Sequence, residues 1–128
     1  EGIKVLDVST MIAAPFGAVL LADFGAEVIK IEMPGKGDTL RSVGPFYKNE
    51  PLRWPGLSRN KKSLTLDLHK PEGVEIFKKL AAKVDILIEN FRPGTLEKWG
   101  AGIALLLNIV AVILVPQIIT FIPHTLMP

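Results

Sequence analysis

The sequence predicts an α/β fold in which one largely parallel sheet is flanked by helices. Two runs of strand character, IKVLDV at residues 3–8 and EVIKIE at 27–32, bracket an apolar stretch of helical length. A second strand–helix–strand series follows at 63–89, after a segment punctuated by Pro and Gly. A helix between two strands implies a parallel pair joined by a right-handed crossover.

The first strand, 3–8, rests on its β-branched and partly alternating residues. A turn over 9–14 leads to Pro15, which suits the first position of a helix because its missing N–H has no partner there. That helix spans 16–24 and ends at Gly25. Residues 27–32 alternate and form the second strand. Residues 33–62 hold four Pro and four Gly and are predicted as one long loop, a length that inside a compact domain is usually functional or disordered. The third strand is SLTLDL, 63–68. Pro71 opens a helix to about Lys83, with Val74, Ile76, Phe77, Leu80, Ala81 and Val84 as its apolar positions. DILIE, 85–89, is a buried fourth strand, and a short helix from Pro93 or Gly94 ends near Gly100.

At 128 residues the chain has room for one domain. It has no cysteine, which excludes a disulfide framework and a thiolate metal site, and its two histidines, His69 and His124, are too far apart for a metal centre. A net charge of +2 gives no basis for a nucleic-acid partner. No basic segment followed by an apolar run opens the chain, so no signal peptide is expected, and the initial Glu points to processing or truncation at the front. The charge is unevenly placed. All 15 basic and all 13 acidic residues fall in 1–100, whereas 101–128 contains neither kind. The chain is therefore divided into a 1–100 α/β segment and a 101–128 apolar tail.

Three places carry candidate chemistry. The 33–62 loop has seven basic residues (Lys36, Arg41, Lys48, Arg53, Arg59, Lys61, Lys62) against Asp38 and Glu50, a net of +5. Either it faces a polyanion or it is a solvated surface. The turn after the first strand delivers a helix N-terminus, an anion-binding element. Only Gly17 appears where a G-x-G-x-x-G fingerprint would need three glycines, which argues against a nicotinamide site even with Glu32 at the end of the second strand. The third is ENFRPG at 89–94, at the carboxyl end of a buried strand, where open α/β sheets bind ligands. Asn90, Phe91 and Arg92 offer an amide, a flat ring and a charge. The alternative is that Asn90 caps the next helix.

Four stretches, GIKVLDVSTMIAAPFGAVLLADFGAEVIKIE, PGKGDTLR, SRNKKSLTLDLHKPEG and DILIENFRPGTLEKWG, together cover residues 2–100. In this order they resemble the class III coenzyme A transferases, the family of formyl-CoA transferase, carnitine CoA-transferase and α-methylacyl-CoA racemase. The resemblance implies a Rossmann-like large domain with a small domain, in an interlocked homodimer, acting on acyl-CoA. It places the CoA nucleotide against Met11, Ile12 and Ala13, against Leu66 and His69 at the end of the third strand, against Asn90 and Phe91, and near Lys98. The family often has an arginine after the second strand; here the residue is Met33. The family's nucleophile, an aspartate that accepts the acyl group as a mixed anhydride, lies well beyond residue 100. Residues 1–100 are thus expected to be the CoA-binding N-terminal part of a cytoplasmic acyl-CoA transferase or racemase, inactive alone, with no catalytic or metal-binding residue of their own.

The family continues past Trp99-Gly100 with a charged helix, a strand and a Gly-rich turn, unlike this tail. A shifted reading frame, a membrane anchor over 101–122, or a buried hairpin or helix would each account for its composition. Any contact with a membrane is expected only through 101–128, and the rival reading of the whole chain is a non-catalytic membrane-anchored remnant.

Overall fold

Strand β1 (Lys4–Asp7) lies at the centre of the sheet, and the chain builds outward from it on both sides. This computed structural model describes residues 2–102 and the backbone of Ala111–Leu114. From β1 the chain passes through helix α1 (Ala13–Asp23) to β2 (Glu27–Glu32). A connection holding β3 (Phe46–Tyr47), β4 (Glu50–Pro51) and α2 (Arg53–Ser58) follows. Next come β5 (Lys61–Thr65), α3 (Pro71–Ala81), β6 (Ile86–Glu89), α4 (Thr95–Lys98) and β7 (Ala111–Leu114). The sheet order is β5-β2-β1-β6-β7, every pair parallel, in agreement with the α/β expectation.

Each face of the sheet has its own apolar layer. On one, Val5, Val28 and Ile88 meet Ala14, Ala18 and Ala22 of α1. These alanines recur every fourth residue, so one stripe of small side chains lets the helix lie close to the strands. On the other face Leu6, Ile31 and Leu87 pack against Val74, Phe77 and Ala81 of α3. Phe77 is fully buried, a burial worth roughly 2–3 kcal/mol. Helix α1 ends in a Schellman motif: Gly25, at φ +95°, donates to the Ala22 carbonyl and Ala26 to that of Leu21.

Several boundaries differ from the sequence expectation. Helix α1 starts at Ala13, so Pro15 is its third residue rather than its first. The first four N–H groups of a helix have no partner inside it, so the ring is equally harmless there. The third strand is 61–65 and not 63–68, because pairing with β2 runs from Val28↔Lys61 to Glu32↔Thr65. The Leu66 N–H makes the last bond to β2, to the Glu32 carbonyl at 2.9 Å, and Leu66 and Leu68 turn into the core under α3. The 33–62 segment is not a structureless loop. Asp38 accepts from the Leu40 N–H at 2.8 Å and starts a 3-10 turn, Thr39–Ser42. Lys48 and Asn49, both at positive φ, make the two-residue turn of the β3–β4 hairpin.

Of the tail, only the backbone of Ala111–Leu114 and residues 101 and 102 are described. Glu89 is in register with Leu114, so 101–122 is not one continuous helix. The remaining tail expectations lie outside the described residues. No helix among those described is long and apolar enough to cross a membrane.

Two glycines test the packing. A Cβ on Gly73 would stand 1.9 Å from the Asp67 carbonyl oxygen, and one on Gly17 would meet nothing within 4 Å. Gly73→Ala should push the start of α3 off the chain beneath it and cost about 1–3 kcal/mol. Gly17→Ala, inside α1, should add about 0.5–1 kcal/mol. Urea unfolding of the two variants should move the midpoint in opposite directions.

Candidate active site

Strands β2 and β5 lie to one side of β1 and β6 to the other, so the order reverses between β1 and β6. A crevice outside the carboxyl ends at such a reversal is where open α/β sheets take ligands. A cleft of about 550 Å³ opens at these strand ends, with Thr10, Glu32, Met33, Lys36, His69 and Phe91 among its lining residues. Its aromatic wall is continuous. The His69 ring centre is 4.5 Å from that of Trp99, and Phe91 meets Trp99 edge-on at 5.2 Å. Asp67 sets His69 in place, accepting its backbone N–H at 3.0 Å and lying 3.1 Å from Nδ1. The backbone N–H of His69 holds the Asp67 carboxyl below its ordinary range.

The structure brings some of the sequence-selected residues together and separates others. Leu66, His69 and Phe91 line the cleft. Lys98 lines a neighbouring hollow of about 410 Å³ that shares His69 and Trp99. Met11, Ile12 and Ala13 follow the cleft-lining Thr10 directly, with Met11 half-buried and the other two exposed. Asn90 does not cap α4, whose N-cap is Gly94 with no side-chain bond. Instead its Oδ1 accepts from the Thr10 N–H and its Nδ2 donates to the Thr10 carbonyl, both at 2.9 Å. This two-point clip joins the turns after β1 and β6 across the reversal. Glu89, buried at the same strand end, accepts the Phe91 N–H at 2.6 Å, and burial pushes its carboxyl up.

A chain of buried charges lies beneath the cleft. The Lys61 ammonium is 2.8 Å from Asp7 Oδ2, and Lys30 is 3.8 Å from Asp7 Oδ1 and 3.0 Å from Asp38 Oδ2. The side chains of Lys30, Asp7 and Lys61 are each at most 2% exposed. Burial pushes the Lys61 ammonium down, against the pull of Asp7. Beside them Glu32 accepts from Arg41 at 2.7 and 2.9 Å, from the Ser63 hydroxyl at 2.6 Å and from the Asp38 N–H at 3.0 Å. The Arg41 guanidinium also stacks 3.8 Å over Trp54.

These contacts change the reading of the basic loop. Four of its seven cations are tied to acids of the surrounding framework: Arg41 to Glu32, Arg59 to Asp23, Lys61 to Asp7 and Lys62 to Glu27. Arg41 and Arg59 therefore fasten the connection to β2 and α1, and Lys61 and Lys62 join β5 to β1 and β2. Of the other three, Lys36 lines the cleft. Trp99, Lys30 and Asp38 went unselected in the sequence. For Lys30 the signal available was a Lys and a Glu towards the carboxyl end of EVIKIE, charges that have to be paired if buried.

Glu32 gives a pH test. Burial alone would raise its carboxyl, but the hydrogen bonds from Arg41, Ser63 and Asp38, with the Arg41 charge, outweigh that and hold it at about 2. A carboxyl depressed in the folded state stabilises above its unfolded pKa and loses that contribution as pH falls towards the folded value. Stability should fall between about pH 4.5 and 2, with Glu32 contributing at most about 3 kcal/mol. Denaturant titrations of Glu32→Gln should show less acid sensitivity over that window than the parent; equal slopes would remove Glu32 from the account.

Comparison with known proteins places the whole arrangement. The family model described as CoA-transferase family III matches residues 1–121. Succinyl-CoA--D-citramalate CoA-transferase of Chloroflexus aurantiacus is 55% identical over 103 residues, 80% of this chain and 26% of that protein. Human succinyl-CoA:glutarate CoA-transferase is 46% identical over 103 residues, covering 80% and 24%. The chain thus spans about a quarter of the length of these relatives. Among solved structures, a CAIB/BAIF family protein from Brucella suis superposes with a TM-score of 0.75 at 35% identity, over 83% of this chain and 29% of its own. A hypothetical protein from Mycobacterium tuberculosis gives 0.76 at 36%, over 91% and 32%. With a matching family model over most of its length and the same parallel sheet, the chain belongs to CoA-transferase family III.

Proposed function

We infer that residues 1–100 form the coenzyme A-binding part of an acyl-CoA:carboxylate CoA-transferase. The observation that carries this is the cleft at the β1–β6 reversal, with its Phe91–Trp99–His69 wall and Lys36 on its lining. A nucleotide carries a flat base and several phosphates, and the cleft offers rings for the first and a cation for the second. Met11, Ile12 and Ala13, Leu66 and His69, and Asn90 and Phe91 are the contacts in this reading, with Lys98 at its edge.

The relatives' names supply the substrate class. Several specify succinyl-CoA as donor and a carboxylate as acceptor, and the same kind of donor is proposed here. In the route the resemblance implies, an enzyme carboxylate attacks the thioester to give a mixed anhydride and CoA thiolate. The thiolate attacks the enzyme carbonyl of that anhydride, releasing the donor acid and leaving an enzyme–CoA thioester. The incoming carboxylate repeats the two steps in reverse, to leave as its CoA thioester with the enzyme carboxylate regenerated. Asp7 and Asp38 are unsuited to that attack, since both are buried and engaged with ammonium groups. The resemblance assigns the nucleophile to a part of the parent enzyme beyond residue 100. A cytoplasmic setting and an interlocked homodimer belong to the same proposal and rest on the resemblance.

The test is calorimetry with CoA and dephospho-CoA. CoA should bind, and Phe91→Ala should weaken it at least tenfold, about 1.4 kcal/mol. Lys36→Ala should narrow the difference between the two ligands if Lys36 meets the extra phosphate. Unchanged CoA affinity in Phe91→Ala would remove the cleft from the account. The 128-residue polypeptide alone should not turn over succinyl-CoA with an added carboxylate; turnover abolished by a substitution within 1–100 would overturn the assignment of the nucleophile.

A further inference from the structure

Met11 has φ +67°, a left-handed conformation that a long side chain rarely adopts. It follows Thr10 on the cleft wall and precedes the start of α1 at Ala13. Strain of this kind persists only where the surroundings over-determine it, and here they do. Every backbone polar group from the Ser9 N–H to the Met11 N–H is engaged by a side chain from elsewhere in the sheet's upper rim. The Ser9 N–H donates to Asp7 Oδ1 at 3.0 Å, and the Ser9 carbonyl accepts from Lys30 at 2.6 Å. Both groups of Thr10 are held by Asn90. The Met11 N–H donates to Asp38 Oδ1 at 3.3 Å.

Asp38 occupies a particular place among these partners. Its Oδ2 faces Lys30 at 3.0 Å, its Oδ1 also takes the Leu40 N–H at 2.8 Å, and its own N–H is fixed by Glu32 at 3.0 Å. It is 3% exposed, so its charge is not screened by water. Lys30 touches both Ser9 and Asp38, so one ammonium ties the residue before the clip to the acid that holds the residue after it.

We propose that Asp38, backed by Lys30, is a positioning residue of the CoA site: it holds the Thr10–Met11 turn in its left-handed form and so presents Met11, Ile12 and Ala13 to the ligand. The inference rests on the CoA reading of the cleft; Asp38 is on the cleft's lining, and the proposal assigns its effect to the turn it holds rather than to contact with the ligand.

A double-mutant cycle separates conformational from direct effects, because glycine adopts positive φ without cost. Using the intact protein and CoA as probe, Asp38→Ala should weaken binding tenfold or more when residue 11 is Met. In a Met11→Gly background the same change should cost less than twofold. Asp38→Asn, which keeps an oxygen acceptor without the charge facing Lys30, should fall between, and it carries the comparison if Asp38→Ala does not fold. Amide hydrogen exchange on the ligand-free protein is the second readout. The Met11 amide should exchange at least tenfold faster in the Asp38 variant, while those of Val5 and Leu6 in β1 stay unchanged. Equal losses in the Met11 and Gly backgrounds, or unaltered exchange at Met11, would overturn the proposal. Absence of CoA binding in the parent protein would overturn the reading of the cleft, and the exchange result would still decide whether Asp38 holds the turn.

Discussion

The ammonium of Lys30 is the group on which the rest of the structure depends. It sits on a strand next to the centre of the sheet, 2% exposed, and reaches Ser9, Asp7 and Asp38. Removing an unpaired ammonium from water would cost several kcal/mol, so the site exists only because two carboxylates and a carbonyl meet it. Each of those partners belongs to a different piece of chain: the end of β1, the turn behind it, and the segment after β2. One buried charge therefore fixes three backbone segments relative to each other. Deleting one member leaves an uncompensated charge, a loss of about 3–5 kcal/mol, which is why the segments are not free to move independently.

The apolar layers explain why the sheet forms, but not where the cleft lies. Val5, Val28 and Ile88 under α1, and Leu6, Ile31 and Leu87 under α3, would be satisfied by many arrangements of the connections above the strands. Hydrophobic burial is not directional. The polar contacts at the carboxyl ends supply direction: Asn90 to Thr10, Asp38 to Met11, Glu89 to Phe91, Asp67 to His69. In each pair a side chain at or beyond a strand end grips backbone, either nearby or across the reversal. The cleft is the space that these grips leave open.

The sequence made this sheet legible and left its upper rim largely illegible. IKVLDV, EVIKIE and DILIE carry period and β-branching that depend on near neighbours alone, and their strands stand within two residues of the expected bounds. The third strand slipped from 63–68 to 61–65 because its register is set by β2, a partner some thirty residues away that no local pattern encodes. The structure within 33–62 is illegible for a related reason. Its Pro and Gly mark turns, yet the helix at Arg53–Ser58 and the 3-10 turn are held by Asp38, Arg41 and Arg59 reaching other parts of the fold. Phe91 is legible as a site candidate because it lies just past a strand, whereas His69 enters only through the family resemblance. Asn90's grip on Thr10 is not legible, since nothing in ENF distinguishes an amide that binds a ligand from one that binds backbone 80 residues away.

The disposition of charge follows from the same constraint. A loop bearing +5 looks like a surface for a polyanion, but Asp7, Asp23, Glu27 and Glu32 take four of its cations before any ligand arrives. Those four acids belong to β1, α1 and β2, the elements that the connection must cover. Arg41 and Arg59 thus dock the connection on β2 and α1, while Lys61 with Asp7 and Lys62 with Glu27 tie β5 to β1 and β2 within the sheet. A phosphate entering the cleft meets Lys36 on its lining, with His69 close by. Affinity then depends less on the total charge of the loop than on whether the framework holds these few groups and the Thr10–Met11 turn at the right separation, which returns the burden to Lys30 and its partners.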